Sequence, residues 1–134
     1  MNISFFLKPK SEVFYLFDDC PARQAIDDMM KSGFTAIPVI DHKGRYIGTI
    51  TEGDFLRLLL QNGAPDEQMT VGRVERRVRH RTASIDVKME DMVELVTEQN
   101  FVPVVDGRGM FSGIITRHDV IQYMSDTYQK QPKK

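Results

Sequence analysis

The sequence predicts an α/β (α+β) fold made of two β-α-β-β-α units, and three observations support this prediction. Residues 38–54 return as residues 103–119, at a constant offset of 65 positions and with eight identities. Each copy is preceded by an apolar pattern with helical spacing, and each leads into a further apolar helix pattern. Such self-similarity is typical of a chain built from repeated structural units.

Each copy predicts a strand, a turn, a second strand and the start of a helix. In the first copy, the apolar run at residues 38–40 indicates a buried strand, and Asp41 and Gly44 indicate a tight turn. The second strand carries three larger apolar side chains, those of Tyr46, Ile47 and Ile50. Thr51 and Asp54 then have the spacing of a capping box, directly before an apolar helix.

The segment before the first copy predicts a strand and a helix. Residues 11–17 are rich in β-forming side chains, and residues 19–21 open a helix that Gly33 can cap. The apolar face of this helix is predicted from spacing, and its members are Ala22, Ala25, Ile26, Met29 and Met30. The methionines of both helices, with Met89 and Met92 in the second, are expected to fill the core.

The segment before the second copy repeats this pattern. Residues 78–85 are expected to be extended, Asp86 to cap a helix, and the helix to bury Met89, Met92, Val93 and Val96. A short helical turn is predicted at residues 70–74. The predicted boundaries are a first repeat with an N-terminal strand at 1–63, a linker at 64–77, a second repeat at 78–128 and a flexible tail at 129–134.

Composition excludes several classes of protein. The 134 residues, 41% apolar and 28% charged, suit a soluble protein whose two small repeats share a core. A net charge of −1 argues against nucleic-acid or membrane partners, and no apolar stretch is long enough for a membrane span or a signal peptide. The single cysteine excludes an internal disulfide and fits a cytoplasmic location. Three dispersed histidines predict no metal site, and with no nucleophile–base pair an enzyme is not expected.

A basic patch lies at the end of the linker and allows two interpretations. Its members are Arg73, Arg76, Arg77, Arg79, His80 and Arg81. The patch is either a solvated face or a set of arginines that meet phosphate through their planar fork of donors.

The doubled stretch resembles the CBS motif, and the pair resembles a Bateman module of the small stand-alone bacterial kind. The resemblance rests on Pro-Val-(Val/Ile)-Asp, a turn glycine, Gly followed by apolar residues, and Thr-x-x-Asp, in both copies, and it covers about residues 11 to 128. It implies two CBS repeats packed about a pseudo-twofold axis, with two clefts that bind AMP, ADP, ATP or cyclic di-AMP. It also implies a homodimer. No cofactor is required beyond the adenine nucleotide as ligand.

The resemblance also implies the ligand-binding residues. In the first repeat, Asp54 is expected to hold the ribose, Thr51 to meet phosphate, and Thr35, Ala36 and Ile37 to contact the adenine edge through their backbone. Val13 and Tyr15 are candidates for sandwiching the ring, with core packing as their alternative. In the second repeat the matching residues are Phe101, Val102, Thr116, Arg117, His118 and Asp119.

Two alternatives stay open at this point. Both Thr-x-x-Asp patterns are also explained as helix caps alone. The whole module is a nucleotide sensor or, alternatively, a ligand-free structural or protein-interaction module. Arg117 and His118 stand where the first copy has Glu52 and Gly53, so unequal sites are expected, with the phosphates near Arg117.

Overall fold

The computed structural model describes residues 3–129 and confirms the predicted mixed α+β class. Its helices and strands are, in order, β1 (Lys8–Pro9), β2 (Leu16–Phe17), α1 (Ala22–Ser32), β3 (Ala36–Ile40), β4 (Tyr46–Thr51), α2 (Glu52–Asn62), α3 (Met89–Glu98), β5 (Phe101–Val105), β6 (Phe111–Thr116) and α4 (Arg117–Gln129). No helix among the described residues combines the length and apolar character that crossing a membrane requires. The predicted tail lies, apart from Gln129, outside the described residues.

The first compact unit consists of Phe14–His80 together with Arg108–Phe111. Its sheet has the order β2-β3-β4, with β2 parallel and β4 antiparallel to β3. Helices α1 and α2 and the 3-10 turn at Val71–Arg73 complete this unit. The core is formed by apolar side chains of these elements, among them Ala25, Met29, Val39, Ile50, Phe55 and Val71.

The second compact unit consists of residues 3–13, Arg81–Gly107 and residues 112–129. Its sheet has the order β1-β6-β5, and β1 pairs antiparallel with β6. Ile3 and Phe6 are buried with the apolar side chains of α3, β5 and β6. The N-terminal residues therefore pack in the unit of the second repeat, whereas the sequence predicts residues 1–63 as one segment.

Local sequence signals account for most element ends. Gly33 ends α1 at a φ of 77°, a backbone conformation that favours glycine. In the turn after β3, the Asp41 carboxylate accepts from the amides of Lys43 and Arg45, both at 2.9 Å. These bonds hold the pKa of Asp41 below its usual value. The capping box at Thr51 and Asp54 is present, as predicted.

Three local predictions are wrong. Met30 is 65% exposed, because α1 presents Ala22, Ala25 and Met29 to the core and leaves Met30 on its edge. The helix α3 begins after Lys88, two residues beyond the predicted cap Asp86. Residues 78–85 are extended only in part: Ala83 makes one parallel bridge to Val104, but the segment begins in a bend at Val78 and ends in a turn at Ile85.

Candidate functional site

The two repeats place the same helix start at the same point of each sheet. The Thr51 hydroxyl accepts from the Asp54 amide at 3.2 Å, and the Thr116 hydroxyl accepts from the Asp119 amide at 3.1 Å. The first backbone amide of each helix also donates to the residue that precedes β3 or β5. The Glu52 amide donates to the Thr35 carbonyl at 3.0 Å, and the Arg117 amide donates to the Asn100 carbonyl at 2.8 Å. Cap geometry is thus realised in both repeats.

Asp54 is a buried polar residue of the first unit. Its side chain is only 3% exposed, yet it accepts from the Thr51 amide at 2.9 Å, from the Arg77 amide at 3.2 Å and from the Arg57 guanidinium. A buried carboxylate requires such partners, because an unpaired charge away from water is costly. In this arrangement Asp54 joins the start of α2 to the linker segment around Arg77.

The other predicted residues of the first unit lie near this helix start. Ala36 and Ile37 belong to β3 and pair with Thr51 and Ile50 of β4. Ile37 is buried and Thr35 is exposed. The structure therefore places Ala36 and Thr51 opposite each other at one end of the sheet.

Tyr15 lies in an aromatic cluster of the same unit. Its ring lies edge-on to Phe17 and Phe111, with centroids 5.7 and 6.3 Å apart, and Phe111 stacks on Tyr46 at 6.2 Å. The Tyr46 hydroxyl lies 2.7 Å from the Thr49 hydroxyl, and burial raises the pKa of Tyr46. Tyr15 is half-buried, so its core contacts and an accessible ring surface coexist.

The predicted residues of the second unit divide into buried and accessible groups. Phe101 and Val102 are buried in β5. Thr116 and Asp119 are half-buried at the start of α4, and His118 is exposed. Val13, half-buried, follows the 3-10 turn at Lys10–Glu12.

Arg117 has a structural role that its sequence position does not reveal. Its Nε donates to the Val96 carbonyl at 2.6 Å, and its Nη2 donates to the Thr97 carbonyl at 3.3 Å. These carbonyls lie in the last turn of α3, where a cation is favoured by the helix dipole. Arg117 therefore links α4 to the end of α3 with two of its five donors.

The members of the basic patch have different surroundings. The Arg81 backbone is held on both sides by Gln99, whose amide accepts from the Arg81 N–H at 2.7 Å and donates to its carbonyl at 3.0 Å. Arg76 lies over Gly48, where a Cβ would be 2.9 Å from its Nε. Burial lowers the pKa of His80, whose ring therefore favours the neutral form. The members of the patch thus do not share one environment.

The main contacts that the sequence analysis missed are those of Arg57 and Gln99. Arg57 stands three residues after Asp54 on α2, a spacing at which opposite charges meet on one helix face. That signal was present in the sequence. Gln99 also donates to the Phe101 carbonyl at 3.1 Å, but its contact with Arg81 spans 18 residues and follows no local pattern.

Comparisons with known proteins agree with this architecture. Residues 6–61 and 69–126 match the family model described as CBS domain. An uncharacterized protein of Methanopyrus kandleri is 28% identical over 112 residues, which cover 79% of this chain and 56% of that protein. The chain thus spans about half the length of this curated relative.

Two solved structures have the same fold. The crystal structure of CbpB in complex with c-di-AMP superposes with a TM-score of 0.87 at 20% identity, covering 96% of this chain and 87% of that one. The crystal structure of CBSX2 in complex with AMP gives a TM-score of 0.76 at 20% identity, covering 95% of this chain and 98% of that one. The predicted tandem-repeat fold is therefore confirmed.

Proposed function

The chain belongs to the CBS domain family, and we propose that it is a regulatory sensor that binds an adenine nucleotide: AMP, ADP, ATP or cyclic di-AMP. The observation that carries the proposal is the duplicated helix start, with Thr51 and Asp54 in one repeat and Thr116 and Asp119 in the other. An ionised carboxylate accepts two hydrogen bonds, which matches the two hydroxyls of a ribose. The complexes of CbpB with c-di-AMP and of CBSX2 with AMP support the ligand class.

The two helix starts differ in how available their carboxylates are. Asp54 is buried and already accepts from three donors, whereas Asp119 is half-buried beside the exposed His118. We therefore assign the stronger site to the α4 start, with the ribose at Asp119 and the phosphates towards His118 and the remaining donors of Arg117. Thr35, Ala36, Ile37 and Tyr15 form the corresponding weaker site of the first repeat. Phe101 and Val102 supply backbone contacts in the second.

Signalling requires that the ligand binds one conformation of the protein better than another. The link from Arg117 to the end of α3 gives a nucleotide at α4 a physical route to a second helix. We further propose that the chain has no catalytic role and acts in the cytoplasm.

Nucleotide binding is tested by calorimetric titration and thermal shift of the purified chain with AMP, ADP, ATP and cyclic di-AMP. We expect at least one of them to raise the melting temperature, because a ligand of the native state stabilises it by mass action. Asp119→Ala is expected to lower the affinity for that nucleotide about tenfold, since a hydrogen bond to a charged group contributes ~1.5–3 kcal/mol. The matched control is Asp126→Ala, which removes an exposed carboxylate two turns further along α4. If no nucleotide shifts the melting temperature, the chain is a ligand-free interaction module.

We also propose a homodimer that uses the outer faces of α2 and α4. Phe55 and Leu58 of α2 are buried, but Leu56 and Leu60 are 58% and 77% exposed. On α4, Ile121 is 57% exposed. An apolar cavity of about 490 Å³ adjoins Leu56 and Leu59 between α1 and α2. Apolar surface of this kind commonly marks a protein–protein interface.

The dimer is tested by light scattering of Leu60→Glu. We expect the parent chain to have the mass of a dimer at micromolar concentration and the variant that of a monomer, because a carboxylate buried without a partner opposes association. Gln61→Glu, an exposed change of the same charge on the next position, is the control. A parent chain that is monomeric at this concentration contradicts the proposal.

A further inference from the structure

A polar cavity of the first unit shares Asp54 with the first helix start but is not lined by Thr35, Ala36 or Ile37. It has a volume of about 390 Å³ and lies along α2 and the segment after the 3-10 turn at Val71–Arg73. Its charged lining comprises Arg57, Arg73, Arg77, Glu75 and Asp54. We propose that this cavity is a second ligand site, which binds the phosphate group of a small organic phosphate ester.

The charges of the lining favour an anion. The Asp54 carboxylate is 3% exposed and already accepts from the Arg57 guanidinium, so these two charges offset each other. Arg73 and Arg77 are exposed, and within residues 3–129 the structure gives neither guanidinium an ion pair. Glu75 is the one further carboxylate of the lining, so the cavity keeps a net positive charge.

The backbone that carries the two arginines is already fixed. The Arg77 amide donates to Asp54 at 3.2 Å, and the Arg73 amide donates to the Thr70 carbonyl at 3.0 Å. Binding would therefore order two side chains and no loop, which lowers the entropic cost of capturing a ligand.

The size and the remaining lining favour an ester over a free phosphate ion. The volume lies in the range of small-molecule pockets and exceeds what one phosphate fills. Leu58, Met69 and Val74 offer apolar contacts, and Gln61 offers amide hydrogen bonds to the body of the ligand. The planar guanidinium forks suit the phosphate oxygens, which accept several hydrogen bonds at once.

The test is a calorimetric titration of the full chain with ribose 5-phosphate, with ribose as the uncharged control. We expect ribose 5-phosphate to bind and ribose not to bind. Arg77→Ala should lower the affinity for ribose 5-phosphate about tenfold. Arg79→Ala removes an equal charge two residues beyond the lining, and it should change this affinity less than twofold. Glu75→Gln should strengthen binding several-fold, because it removes the opposing charge.

The outcomes that would contradict this second site can be distinguished from one another and from failure of the proposed function. Absence of ribose 5-phosphate binding at millimolar concentration, or equal binding of ribose, overturns the proposal. Equal weakening by Arg77→Ala and Arg79→Ala indicates a diffuse basic field and also overturns it. Denaturation of both variants in urea verifies that they fold. If Asp119→Ala weakens ribose 5-phosphate as far as Arg77→Ala does, the ligand occupies the proposed nucleotide site and the cavity is no second site. A nucleotide panel without any thermal shift, beside intact ribose 5-phosphate binding, removes the proposed function alone.

Discussion

Replacement of Asp54 by Ala is expected to lower the free energy of unfolding by about 3 kcal/mol in the absence of any ligand. The change deletes a buried acceptor and leaves three donors without their partner: the Thr51 amide, the Arg77 amide and the Arg57 guanidinium. Loss of a helix cap alone costs ~1 kcal/mol, and the remainder comes from the disrupted ion pair and linker contact. Urea denaturation of the apo chain measures the difference.

The repeat supplies a matched control for this prediction. Asp119 occupies the same place in the second Thr-x-x-Asp pattern, and its amide is capped in the same way by Thr116. Because Asp119 is half-buried and Asp119→Ala keeps the backbone amide that donates to the Thr116 hydroxyl, the change should cost no more than ~1 kcal/mol. If Asp54→Ala costs no more than Asp119→Ala, the contacts with Arg57 and Arg77 contribute nothing to stability.

A double-mutant cycle separates the two contacts of Asp54. Arg57→Ala removes the ion pair but keeps the bond from Asp54 to the Arg77 amide. We expect a coupling of about 1–2 kcal/mol between positions 54 and 57, as is usual for groups in one buried network. Exchange of the Arg77 amide with solvent should quicken in Asp54→Ala and stay slow in Arg57→Ala.

The parts of the fold that the sequence predicted are those that local chemistry determines. The turn at Asp41, the cap at Gly33 and the capping box at Thr51 each depend on residues within four positions of one another. Because the pattern repeats, the same cap is expected in the second copy, where the Thr116 hydroxyl accepts from the Asp119 amide. Local signals of this kind agree with the global fold, and they can be recognised from neighbouring residues alone.

The parts that were not predicted depend on contacts between distant residues. The Arg77 amide meets Asp54 across 23 positions, and no pattern in the sequence relates the two. The pairing of β1 with β6 joins residues more than 100 positions apart. Met30 falls on the apolar face by its spacing, but α1 contributes Ala22, Ala25 and Met29 to the core and the Met30 side chain stays exposed. Spacing predicts which face is apolar and not how far that face is covered.

Gly113→Ala is expected to detach β1 from β6 and to cost about 3 kcal/mol or more. Gly113 has a φ of 151° and lies opposite Pro9, and a Cβ at this position would lie 2.1 Å from the Lys8 carbonyl oxygen. Backbone in this region strains any other residue, and the clashing atom is itself backbone, so the strand must move. Displacement of β1 would expose Ile3 and Phe6, which are 1% and 5% exposed.

The equivalent glycine of the first repeat is the control for this last prediction. Gly48 lies 65 positions earlier, but a Cβ there would meet only the Arg76 side chain, at 2.9 Å from Nε, and its φ is not positive. Because a flexible side chain can shift, Gly48→Ala should cost less than about 1 kcal/mol. Urea denaturation measures both costs, and trypsin cleavage after Lys10 reports the release of β1, which should be fast in Gly113→Ala and slow in Gly48→Ala. Equal stability and equal cleavage of the two variants would show that β6 accommodates a side chain at position 113 without losing its partner strand.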